Sequence, residues 1–145
     1  MKSMNNRMDP TSSSKDKFYV QFSNLVGTRS NDPKNMVKDD FYTITLKNPE
    51  SCLGIRKESM LNTYEFTSKD EALNFINYCS MDFARFCVAI YKNNTNLHRG
   101  ELELLPYLDF KESWDDAKLY KHFGIDQKTQ DYITNFLPDF HGIRQ

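Results

Sequence analysis

Phe18, Val20 and Phe22 alternate with Tyr19 and Gln21 in "KFYVQFSNLVG", the period of a β-strand. A polar stretch follows, "GTRSNDPKNMVK", with turn chemistry at Asn31-Asp32-Pro33. "DFYTITLKN" then sets Tyr42, Ile44 and Leu46 on one strand face and Thr43 and Thr45 on the other. Pro49 ends that strand, because proline offers no N–H to a ladder. Residues 50–66 hold one or two further short strands, in "SCLGIRK" and "NTYEFT". Ahead of all these, "MKSMNNRMDPTSSSKDK" is polar and without periodicity, so residues 1–16 are expected to form a flexible leader.

From Ser68 the period changes. "Ser-Lys-Asp-Glu" is a capping box, with Ser68 accepting from the Glu71 amide and Glu71 reaching back. Ala72, Phe75, Ile76, Cys79, Phe83, Phe86, Cys87 and Ile90 then recur in steps of three and four, which predicts one long helix ending near Lys92. Its stripe should be buried against the sheet. "GELELLPYLDF" returns to strand, with Leu102, Leu104 and Leu105 inward, until Pro106 ends the ladder. "SWDDAKLYKHFGI" reads as a short helix with Ser113 as N-cap, Asp115 and Asp116 in the first turn, Lys121 and His122 in the last, and Gly124 just beyond. A last helix starts at Asp126 and stops at Pro138, burying Tyr132, Ile133, Phe136 and Leu137. The expected architecture is α+β: a mainly antiparallel sheet packed on one long helix, with two short C-terminal helices, as a single domain over residues 17–140 and a tail over 141–145.

Composition narrows the class. At 145 residues one core can form without staples, and 14% aromatic content supplies much apolar area per residue. The three cysteines, Cys52, Cys79 and Cys87, lack CxxC spacing, and two lie in the helical apolar pattern; that suits reduced thiols and a cytoplasmic setting. No apolar run approaches the length of a membrane span, and no secretory signal is expected.

The net charge of −1 divides unevenly: residues 1–38 carry seven basic and three acidic side chains, residues 101–118 six acidic and two basic. The basic candidates for contact with nucleic acid are Arg29, Lys34 and Lys38 in the first loop, Arg56 and Lys57, and His98 and Arg99. Tyr19, Tyr42 and Tyr64 could stack on bases if exposed. Glu101, Glu103, Asp115 and Asp116 are the acidic candidates for a protein partner.

No catalytic or metal-binding set emerges. His98, His122 and His141 share no ligand spacing with a cysteine or carboxylate. No nucleophile elbow is visible. Of the Asp-x-Lys strings only Asp109-Phe110-Lys111 follows a strand end, the position a nuclease would need. Arg85, inside the helix stripe, has two readings: a snorkelling side chain, or a partly buried cation paired with Asp109 or Glu103.

"FTSKDEALNFINYCSMDFARF", "LLPYLDFKESWDDAKLYKHFGI" and "DYITNFLP" together resemble the C-terminal region of Eco57I-like, adenine-specific restriction-modification DNA methyltransferases. The resemblance spans residues 17–138 and rests most on Pro106, Asp109, Phe110, Trp114, Asp116, Leu119, Tyr120, Phe123 and Gly124. The methyltransferase body is missing. There is no glycine-rich S-adenosylmethionine loop, and Asp32-Pro33 runs on to Lys34 where the catalytic motif has a second Pro and an aromatic residue. The resemblance therefore implies neither methyl transfer nor a cofactor. It implies a non-catalytic module that binds double-stranded DNA or a restriction-modification partner in a bacterial or phage-infected cell. The alternative is a phage- or plasmid-borne inhibitor acting on a restriction or CRISPR complex.

Overall fold

The computed structural model describes residues 17–22, 44–47, 63–91 and 105–137. These form three strands, β1 (Phe18–Phe22), β2 (Ile44–Lys47) and β3 (Thr63–Phe66), and four helices, α1 (Lys69–Ser80), α2 (Asp82–Tyr91), α3 (Asp116–Phe123) and α4 (Gln127–Phe136). The fold is α+β, as the change of period predicts. Strand order is β2-β1-β3, both pairs antiparallel, with Phe22 opposite Ile44 and Val20 opposite Tyr64. Among the described residues β1 is thus the central strand. Tyr19 and Val20 are both 0% exposed, so both of its faces are covered.

Helix α1 lies against all three strands. Its start is set by Ser68, whose extended backbone and Oγ, accepting from the Glu71 amide at 3.1 Å, give one orphan N–H a partner. The capping box closes differently from the expected form: Glu71 Oε2 accepts from the Thr67 hydroxyl at 3.3 Å. Phe75 packs against Phe22, Tyr64, Phe66 and Phe110, with ring centroids 4.9–5.9 Å apart and the planes inclined. Such inclined aromatic contacts add to the stabilisation from area alone.

The predicted long helix is two. Met81 has an extended backbone (φ −74°, ψ 152°); its N–H goes to Tyr78 O while its carbonyl already accepts from Arg85 N. Methionine has no oxygen with which to cap the second helix. Asp116 from α3 does so from across the fold, Oδ2 accepting from Asp82 N at 3.1 Å and Oδ1 from Phe83 N at 3.0 Å. The break turns the buried face. Phe83, Ala84 and Val88 are inside, Phe86 and Cys87 are half-buried, and Ile90 is 57% exposed.

Residues 105–110 add little ladder to the sheet; only Pro106 makes a bridge. Three of their backbone carbonyls accept from side chains. Tyr78 Oη donates to Pro106 O at 3.1 Å, Asn74 Nδ2 to Phe110 O at 2.9 Å, and Trp114 Nε1 to Asp109 O at 2.9 Å. Leu102 and Leu104 lie outside the described residues, as do "SCLGIRK", Tyr42, Lys92 and Pro138.

Helix α3 starts at Asp115 rather than Ser113, because Asp115 Oδ1 reaches the Lys118 amide at 2.8 Å. It ends at Gly124, whose φ of 64° is the left-handed conformation glycine adopts at least cost. Asp126 caps α4 by accepting from Thr129 N, and hydrogen bonds from the Thr129 side chain and amide hold its carboxyl below the usual range. Ile133 is buried, Phe136 and Leu137 are half-buried, but Tyr132 is 59% exposed, its ring meeting Phe86 and Phe136. A short terminal helix has one inward row, and Ile133 takes it.

Candidate functional site

Of the sequence-predicted contact residues, Arg29, Lys34, Lys38, Arg56, Lys57, His98, Arg99, Glu101 and Glu103 lie outside the described residues. Asp115 and Asp116 lie within them, and both carboxylates accept backbone N–H groups, Asp115 at its own helix and Asp116 at α2. Tyr19 and Tyr64 are 0% and 2% exposed, which removes them as stacking platforms: both are core residues of the sheet.

Arg85 does not snorkel. It is 2% exposed, and its Nη1 lies 3.3 Å from Asp82 Oδ1, one turn back in the same helix. Asp109, which the sequence offers as a partner or as a nuclease acid, is exposed, and its Oδ1 accepts from Lys111 N at 3.0 Å in a side-chain-closed turn. Among the described residues no three histidine, cysteine, aspartate or glutamate side chains converge to hold a metal ion.

Buried titratable groups surround the joint between α1 and α2. Burial pushes the Cys87 thiol up to about 11 and raises Cys79 and Tyr78 well above their ordinary values. Burial, with the Asp116 and Asp82 carboxylates nearby, lifts the Tyr120 phenol to about 12. Its Oη is buried and makes no hydrogen bond to a described residue. Two consequences follow for Tyr120→Phe. Removing a desolvated hydroxyl should leave stability at neutral pH equal or slightly higher. Above pH 10 the unfolded chain releases the phenolic proton while the folded chain keeps it, so stability falls with rising pH until the folded-state value is passed. Between pH 9 and 11 the variant should therefore lose about 1 kcal/mol less than the parent in urea titrations. Parallel curves for the two proteins would contradict this.

Among the described residues an open cleft of about 600 Å³ lies between the 107–114 loop and α3. The loop wall presents Tyr107, Leu108, Asp109, Glu112 and the Trp114 indole. The helix wall presents Lys118, Lys121 and His122, which at steps of three and four share one face. Lys118 Nζ sits 4.2 Å from the Trp114 ring centroid, bonded to Ser113 O and paired with Glu112 Oε2, each at 2.9 Å. His122 meets the indole edge-on at 5.2 Å. A second depression of about 420 Å³ shares Tyr107, Leu108 and Asp109 and extends toward Phe66 and Lys111. The linear sequence carried one signal for this site, the Lys118, Lys121, His122 spacing. Tyr107 carried none.

Comparison of the chain with protein-family models, with curated proteins and with solved structures returns no match. No helix among the described residues is long and apolar enough to cross a membrane.

Proposed function

We propose that this chain is a non-catalytic binding module of the DNA-modification and restriction class, acting through its surface on DNA. The observation that carries the reading is how the residues of the resemblance are used. Pro106, Asp109 and Phe110 offer carbonyls to Tyr78, Trp114 and Asn74; Leu119 and Tyr120 are buried; Asp116 caps α2; Gly124 closes α3. These residues form a frame beside a cleft walled by aromatic and basic groups together with the Asp109 and Glu112 carboxylates. Frames of this kind position a surface; they do not by themselves supply a reaction.

Mobility-shift titration with duplex DNA at low and moderate salt tests the proposal. Binding that weakens as salt rises is expected, since phosphate contacts release counterions. Absence of a shift at low salt would overturn the duplex-DNA reading. Recovery of a restriction or CRISPR subunit by the tagged chain would then favour the inhibitor alternative.

A further inference from the structure

We infer that the Trp114 cleft receives a single unstacked nucleotide of a DNA strand, an inference that rests on the DNA-binding reading above and names its ligand. Three properties of the cleft lead there. It is an open cleft of about 600 Å³, roomy enough for one nucleotide to lie in from solvent. Its two walls differ in chemistry. The helix wall carries Lys121 and His122, both exposed donors suited to a phosphate, beside the Lys118 ammonium that Glu112 and Ser113 O hold over Trp114. The loop wall carries the half-buried Tyr107 ring, backed by the buried Leu108, on which a base can lie, and the exposed Asp109 carboxylate, which accepts from an amino group.

A nucleotide has the matching polarity: anion at one end, flat ring in the middle, and in adenine or cytosine an exocyclic amine at the far edge. Thymine lacks that amine and should bind less well. A paired base keeps its faces covered by its neighbours, so the ligand must be unstacked. An acidic peptide would satisfy the helix wall but would place carboxylates against Asp109 and Glu112.

The chain supplies its own reporter, because Trp114 is its single tryptophan and lines the cleft. Titrating the full chain with hexadeoxyadenylate at low salt should change indole fluorescence along a saturable curve. Hexathymidylate should bind at least about threefold more weakly. Lys121→Gln, an exposed change that leaves the fold intact, and Tyr107→Ala should each weaken hexadeoxyadenylate about fivefold or more. A silent indole, or equal affinity in Lys121→Gln and the parent, would overturn the inference. The two readings fail separately. A duplex shift with a silent indole removes only the cleft assignment, whereas a saturable indole response without any duplex shift keeps the cleft and removes duplex binding.

Discussion

Replacing Phe75 with alanine is expected to destabilise the protein by about 4 kcal/mol, the largest effect of any single change considered for this chain. Phe75 is 1% exposed and stands in α1 where the helix crosses the sheet. Its ring meets Phe22 of β1, Tyr64 and Phe66 of β3, and Phe110 of the loop segment. Truncation loses the transfer free energy of the ring and leaves a void that four large neighbours, each held from another element, cannot collapse to fill. Phe75→Leu keeps most of the volume and should lose about 1–2 kcal/mol. Urea unfolding followed by circular dichroism measures both. The Phe110 contact gives a second readout: loosening at position 75 should reach the 107–114 loop and change the environment of Trp114. A Phe75→Ala variant within 1 kcal/mol of the parent would mean that the aromatic cluster is not the centre of the core.

Much of this arrangement is legible in the linear sequence. Period two at Phe18–Phe22 and period three to four after Ser68 report the element types, and in α1 the buried face as well; β1, covered on both faces, buries Tyr19 as fully as Val20. Ser68, Asp126 and Gly124 announce helix ends through local chemistry that involves neighbours within a few positions. What could not be read depends on distant residues. The stripe from Ala72 to Ile90 is continuous at helical spacing, yet the helix breaks at Met81, since the carboxylate that satisfies the second helix belongs to Asp116. Arg85 looks like a surface cation caught in an apolar stripe. Only the turned α2 explains why it is buried beside Asp82. The cleft is illegible for the same reason: Tyr107 and Lys121 become neighbours across a space that exists only after the Tyr78, Asn74 and Trp114 hydrogen bonds have drawn the loop onto α1 and beside α3.

Asp116→Ala should cost about 2–3 kcal/mol, and the neighbouring Asp115→Ala only about 1 kcal/mol. The two aspartates are adjacent in sequence and both look like acidic first-turn residues of α3. Asp115 is exposed and accepts one amide, that of Lys118, at 2.8 Å, so it is an ordinary N-cap whose loss water can partly repair. Asp116 is half-buried and accepts two amides of a different helix. Hydrogen bonds to an ionised acceptor are stronger than neutral ones, and the N-terminus of a helix favours a negative charge beside it. Without that carboxylate the Asp82 and Phe83 N–H groups lose their acceptor, and α3 loses a tie to α2. Asp116→Asn keeps one acceptor oxygen and should fall between parent and alanine. Hydrogen exchange supplies the test that global stability alone cannot: in Asp116→Ala the amides of Asp82 and Phe83 should exchange at least tenfold faster than in Asp115→Ala. Equal exchange in the two variants would mean that the helix joint stands without Asp116, and that its carboxylate is available for a partner after all.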